Sequence, residues 1–290
     1  MSDEFLQGGD HTQNEGVALK TMTQLKGDKA IQERALQIEN EYRASEKKKR
    51  HRRIRAEVKE KNPQCIKWIM EDEGWIPVEY GGDSRVQIFE KTLDDGAYLI
   101  KSRGPVKQWD VGTFAYKNMD TNHLSRVRWD TDIEEIRNVE TILKATEVDQ
   151  VPESVGVQRM PGKIEVIWYK VAVPKIASTV GIWPRDFCCW QYWSLKKDSS
   201  ILITSSSTFH ENKPAAEEGC VRGETTCTMH IAPIEQGKGK PDPEEPTIYV
   251  TMVAYVKPNG MIPSSVISWY RHRMGERIEF FSKIYNKACL

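Results

Sequence analysis

The chain has 290 residues in which 42 Lys and Arg balance 42 Asp and Glu, so the molecule as a whole has no bias towards polyanions and any such preference must be local. An apolar fraction of 39% with nine Trp suffices for a sizeable core in one or two domains. Six cysteines, at positions 65, 188, 189, 220, 227 and 289, lack metal-ligand spacing, and neighbours 188 and 189 project to opposite faces of a strand; the expectation is a reduced, cytoplasmic protein with no metal and no cofactor.

No apolar run reaches ~18 residues, and Met1-Ser-Asp-Glu-Phe5 lacks the features of a signal peptide or a myristoylation start. Residues 1–27 are rich in Gly, Gln, Asn, Thr and Asp and too poor in apolar groups to repay chain ordering, which predicts disorder. From Asp28 the pattern turns helical, with Ile31, Ala35, Ile38 and Tyr42 spaced four, three and four apart. It then fades into a basic run with ten Lys/Arg against three Glu between Arg43 and Lys61. Such a run suits a nuclear localisation signal, a nucleic-acid contact, an anchor for anionic lipid headgroups or a solvated helix face. Residues 28–62 thus form a basic helical extension, and Asn62-Pro63 marks the start of a domain over 63–290, since proline disfavours helix in the residue before it.

Within that domain Cys65 to Met70 reads as a short helix, and Trp75-Ile-Pro-Val78 as the entry to a sheet. Val86 to Lys91 and Ala97 to Ser102, parted by Asp94-Asp95-Gly96, predict a hairpin. Val111 to Met119 and Leu124 to Asp130 predict short helices, and a strand is expected within Val139 to Ala145. After a polar connection over Thr146 to Lys163 come strand-like runs at 164–173, 187–193, 200–209, 220–234 and 247–256. A long helix then opens after Ile262-Pro263-Ser264-Ser265, where Ser can cap. It carries one apolar stripe through Val266, Tyr270, Met274, Ile278, Phe281, Tyr285 and Ala288. A stripe of about six turns following several β segments must lie across a sheet.

Four short motifs fall in the order and rough spacing of a known family: Arg126-Val-Arg-Trp-Asp130, Pro184-Arg-Asp-Phe187, Val221-Arg-Gly-Glu224 and Gly260-Met-Ile-Pro263. With the terminal helix they resemble the steroidogenic acute regulatory protein-related lipid transfer (START) domain over Asn62 to Leu290. The resemblance implies an α+β helix-grip fold, a curved antiparallel β-sheet wrapped around a long C-terminal α-helix with an internal lipid tunnel, here preceded by the basic helical extension. It also implies one bound lipid, a phospholipid favoured over sterol or sphingolipid, and transient contact with a membrane surface, with no nucleic-acid partner.

By resemblance to phosphatidylcholine transfer proteins, Arg126 takes the place of a phosphate-binding arginine and Asp130 that of its carboxylate partner. Tyr169, Val171 and Phe187 take the places of a choline cage, which suits cation–π attraction. A ligand-facing tyrosine of those proteins falls on Thr226. Tyr270 and Met274 on the closing helix complete the candidate ligand-binding set. Ile176, Val180, Ile182 and Trp183 lie where a surface loop should be polar, and in the family that loop covers the tunnel mouth, so they form a candidate membrane-facing gate.

Catalytic motifs are absent: there is no Gly-x-Ser-x-Gly elbow, no phosphate-cradling Gly-rich loop and no His-Glu-x-x-His. His210 reads as structural and Ser205 to Ser207 as a polar strand face. Arg185, Asp186, Arg222 and Glu224 read as ion pairs and turns that hold the fold. The sequence therefore predicts a non-enzymatic, peripherally membrane-associated lipid carrier. The alternatives are an acyl-thioester hydrolase of the kind to which such domains are attached and a lipid-sensing adaptor.

Overall fold

The computed structural model describes residues 12–93, 97–143, 162–171, 183–213, 220–235, 245–257 and 264–289. Two compact units divide the chain, 1–53 and 54–290. The described part of the first is helical. Helix α1 (Thr12–Met70) begins inside the stretch whose composition predicts disorder, and a helix can do so because its backbone bonds close within the segment and need no core. Its side chains Ile31, Leu36, Ile38 and Tyr42 are exposed.

The last turns of α1 belong to the second unit, and they run straight through Pro63 where the sequence predicts a boundary. Proline removes one backbone bond and should break the helix. Three contacts hold the helix on the sheet here: the Thr208 hydroxyl donates to Glu57 at 2.8 Å, Lys61 donates to the Ser206 hydroxyl at 2.8 Å, and the Thr204 hydroxyl donates to Asn62 at 3.1 Å. Ile54 and Val58 are buried against Ile164, Val166, Trp168 and Trp190, while Ile69 packs with Leu99, Leu202 and Val253. Each such side chain contributes about 1.5–3 kcal/mol when fully buried, enough that a few together outweigh one lost helical bond.

Among the described residues ten strands make one curved, open sheet: β1 (Ile76–Val78), β2 (Gln87–Thr92), β3 (Tyr98–Lys107), β4 (Ile133–Leu143), β5 (Ile164–Val171), β6 (Arg185–Leu195), β7 (Ile201–Ser207), β8 (Val221–Arg222), β9 (Glu224–Pro233) and β10 (Pro246–Lys257). The order is β1-β2-β3-β10-β9-β7-β6-β5-β4, antiparallel throughout, with the short β8 added parallel to β6. The hairpin expected around Asp94 is β2–β3. β4 starts earlier than its sequence suggests; three register shifts against β5 break its in-out alternation, which hides the strand pattern.

Because side chains alternate, the sheet has two buried faces. Cys188 and Trp190 face the end of α1, while Phe187, Cys189 and Trp193 face the other way. That second face is covered by α4 (Ser264–Cys289) and by α2 (Val111–Met119), which is capped by Asp110 accepting from the Thr113 amide at 2.8 Å. On α4 the stripe residues Met274, Ile278 and Phe281 are buried as predicted. Phe281 meets Phe114 edge-on at 4.8 Å, and its carbonyl accepts from the Trp109 indole at 2.8 Å. The stripe positions Val266, Tyr285 and Ala288, with the connection 146–161, fall where no side chain is described.

Two of the four predicted fold-holding charges, Asp186 and Arg222, meet in one ion pair, while Glu224 is exposed. Asp186 is fully buried and accepts from Arg222 at 2.8 and 2.9 Å and from the Trp168 indole at 2.7 Å. Burial alone would raise its pKa, but these donors outweigh it and hold the carboxyl below its usual range. Arg185 donates to the Trp183 carbonyl. His210 is buried with its Nε2 3.0 Å from Glu140, a structural position on the α1 side of the sheet.

Gly223 leaves β8 directly beneath the Phe187 ring, with no room for a Cβ. The ring cannot give way easily, because it stacks on Tyr169 with centroids 5.1 Å apart. Gly223→Ala should therefore destabilise the domain by about 1–3 kcal/mol through overpacking, read as a lower midpoint in urea with an unchanged slope.

Candidate functional site

Between α4 and the sheet lies a cavity of about 290 Å³, close to the lower end of ligand pockets at ~300–1,000 Å³. Six of the seven predicted ligand-binding residues line it: Arg126, Asp130, Tyr169, Val171, Tyr270 and Met274. Phe187 does not. Its ring lies behind Tyr169, nearly parallel to it at 23°, so each ring covers a face of the other and the two do not form an open cage. Thr226 also lies outside: its hydroxyl meets that of Ser206 at 2.8 Å on the α1 side, and the next residue, Cys227, lines the cavity instead.

Arg126 ends α3 (His123–Arg126), a helix shorter than the one predicted over Leu124 to Asp130. The spacing of four still operates, because the chain continues as a turn in which the Asp130 amide donates to the Arg126 carbonyl at 2.9 Å. The side chains meet as the spacing requires, with Arg126 Nε and Nη2 at 2.9 and 2.8 Å from Asp130 Oδ2. The same guanidinium donates through Nη1 to the Lys117 and Asn118 carbonyls at 2.9 and 2.7 Å, closing off the end of α2, and lies 4.4 Å over the Trp129 ring. Of the five N–H groups in the fork, four are engaged among the described residues, which leaves one on Nη2.

Sequence reasoning missed the other half of this cluster. Arg277 of α4 donates to both Asp130 oxygens, at 3.2 and 2.8 Å, and to Asp132 at 2.9 Å. Arg273 reaches Asp132 at 2.8 Å and the exposed Glu276 at 3.0 Å. A signal was present: Arg273 and Arg277 adjoin Met274 and Ile278 at helical spacing, and an arginine set inside an apolar stripe requires a buried partner. What the sequence lacks is the direction of α4, which alone brings position 277 to position 130.

The electrostatics follow from burial and sharing. Asp130 is 1% exposed, and burial would raise its pKa; the charges of Arg277 and Arg126 reverse that and hold the carboxyl far below its usual range. Burial would lower the pKa of Arg277, and Asp130 more than restores it. The Tyr169 and Tyr270 hydroxyls and the Cys189 and Cys227 thiols are pushed up by burial and are neutral at physiological pH. The remaining wall is apolar or neutral, with Ile136, Ile167 and Met252 beside Asn118, Gln191 and Ser205.

Of the predicted gate, Trp183 is 59% exposed, whereas Ile176, Val180 and Ile182 lie outside the described residues. Among the described residues no helix is long and apolar enough to cross a membrane, and no group of three or more His, Cys, Asp and Glu could hold a metal ion.

Arg277→Gln should cost about 3 kcal/mol, the lower end for breaking a buried pair, since Asp130 keeps Arg126. A carboxyl held below its ordinary pKa stabilises the fold above that ordinary value and loses the contribution only as pH falls through the depressed one. The loss measured by urea unfolding should therefore be the same throughout about pH 6 to 8, and a loss that varied across this window would place the charge coupling elsewhere.

Comparison with known proteins places this geometry. The fold matches human StAR-related lipid transfer protein 5 with a TM-score of 0.62 at 15% identity, covering 82% of this chain and 98% of that one. It matches human STARD10 with a TM-score of 0.56 at 17% identity, covering 78% and 79%. The lipid transfer and protein localization domain of human StarD13 gives 0.50 at 17% identity, covering 79% and 95%. Identities this low speak for the fold alone. The sequence itself matches the START domain over residues 65–290, and with the curved sheet, the closing helix and the cavity between them, the chain belongs to the START domain family.

Proposed function

We propose that this protein binds a single lipid between the sheet and α4 and carries it from one membrane to another without chemical change. The observation that supports this most is a cavity that is apolar along its wall and charged at one end, where Arg126 and Arg277 converge on Asp130. In family terms it is a place for acyl or ring carbon with a polar terminus. The ligand class favoured is a phospholipid, its phosphate at the remaining Nη2 N–H of Arg126 and the chains along Tyr169, Val171, Tyr270 and Met274. Asp130 is then the orienting residue. Tyr169 offers a single free face to a headgroup ammonium, a weaker site than a cage.

A carrier fits the titratable groups better than a hydrolase. Cavity carboxylates are bound to arginines, the cavity thiol of Cys227 is held protonated by burial, and His210 sits on the opposite side of the sheet. No nucleophile and base meet in the cavity among the described residues.

The test is mass spectrometry of the organic extract of the purified protein, paired with transfer of fluorescent phospholipid, sterol and ceramide between vesicles. Phospholipid in the extract and transfer above the spontaneous rate are expected, and Arg126→Lys should lose phospholipid while staying folded, because an ammonium cannot reproduce the planar fork. Failure of all three lipids to move refutes carriage; a sterol in the extract refutes the role given to Arg126.

Trp183 is proposed as a membrane-facing residue. As an exposed indole it contributes little to the core, so Trp183→Ala should weaken binding to vesicles while shifting Tm by no more than a degree or two. A large drop in Tm would make it a packing residue instead.

A further inference from the structure

Unit 1 carries a surface that the lipid cavity does not use. On a straight helix Ile31, Ile38 and Tyr42 fall within about 40° of arc, and all three are open to solvent, at 69, 53 and 66% exposure. Nothing in unit 1 covers them among the described residues. About two to three turns further on, the same side of the helix carries Lys49, Arg52 and Arg53. They belong to a run, Lys47 to Arg53, in which every residue is basic.

The charges are segregated along the helix. Upstream, acids are taken up locally: Glu39 accepts from Arg43 at 2.6 Å and Glu41 from Gln37 at 2.9 Å. Downstream, Lys49 remains exposed even while it donates to Glu46 at 2.7 Å, and Lys48 and Arg52 are exposed with no ion pair among the described residues. The helix thus presents an apolar stretch followed by a concentrated positive one on a common side. A nucleic-acid duplex, its bases already stacked, would use the charge and gain little from isoleucine and tyrosine. A bilayer interface uses both, taking apolar side chains below the headgroups and placing lysine and arginine among the phosphates.

We propose that residues 31–53 form a docking surface for an anionic membrane, with Ile31, Ile38 and Tyr42 entering the interface and the Lys47–Arg53 run reading the negative headgroups. This deepens the carrier reading by naming the charge of the membrane at which the protein works, and it rests on that reading for its biological sense. The surface itself is separate from the cavity.

The experiment is flotation of the full chain with phosphatidylcholine vesicles made with and without phosphatidylserine, in low and high salt. Binding is expected only with phosphatidylserine and should fall at least about tenfold in high salt or when Lys48→Gln, Lys49→Gln, Arg52→Gln and Arg53→Gln are combined. Glutamine keeps helix propensity and these side chains are exposed, so the variant should fold as the parent does, checked by its helical circular dichroism. Ile38→Ser with Tyr42→Ser should weaken binding while leaving its salt dependence intact. Equal binding to vesicles without phosphatidylserine, no effect of the four glutamines, or capture of duplex DNA in preference to the vesicles would overturn the proposal. Lipid in the organic extract separates the two readings. A loaded protein that ignores anionic vesicles sinks this surface alone, and an empty protein that binds them through Lys47–Arg53 sinks only the carrier.

Discussion

A buried carboxylate has to be answered by charge, and Asp130 is answered twice, by Arg126 from its own turn and by Arg277 from α4. The rest of the cavity depends on this arrangement. One local pair spaced by four residues would hold only its own turn. The second arginine comes from a helix 147 residues further along the chain, so the shared carboxylate ties the two walls of the cavity together at its polar end. Arg126 also donates to two carbonyls at the end of α2, so a single ionic centre fixes α2, α3, the start of β4 and α4. Such a centre adds little net stability over a well-packed apolar one. What it supplies is position, with polar groups oriented before any ligand arrives.

The sheet makes this possible by having two dry faces. An antiparallel sheet can leave one face to water, yet here the α1 turns from Ile54 to Met70 cover one side and α4 with α2 the other. The second cover frees the first from carrying all of the stability. A helix that must seal its sheet completely cannot also leave a cavity beneath it, whereas a sheet anchored from behind by Ile54, Val58 and Ile69 tolerates imperfect packing in front. The Asp186 cluster performs a similar service at the start of β6, where one carboxylate holds Trp168 from β5 and Arg222 from β8 in a single hydrogen-bonded knot.

Phe187 shows how a residue can matter to a site without touching what the site holds. It is confined between Gly223 and Tyr169, so it sets the plane of the Tyr169 ring that lines the cavity. Its importance is in supporting the wall.

Several features were decided by the sequence alone. The α4 stripe, the β2–β3 hairpin, α2 and the pairing of Arg126 with Asp130 all follow from spacings between residues close in sequence, where periodicity and backbone geometry leave few choices. The four short motifs and the terminal helix carried the family resemblance, because they fall in order along the chain. The remaining features needed the tertiary structure. Helix α1 continues through Pro63 since contacts from β7 hold it there, and β4 hides behind register shifts against its neighbour. Whether position 226 or 227 meets the cavity depends on strand phase, which a single-residue shift inverts. Arg277 reaches Asp130 only because α4 crosses the sheet at one particular angle, and no pattern within the helix specifies that crossing.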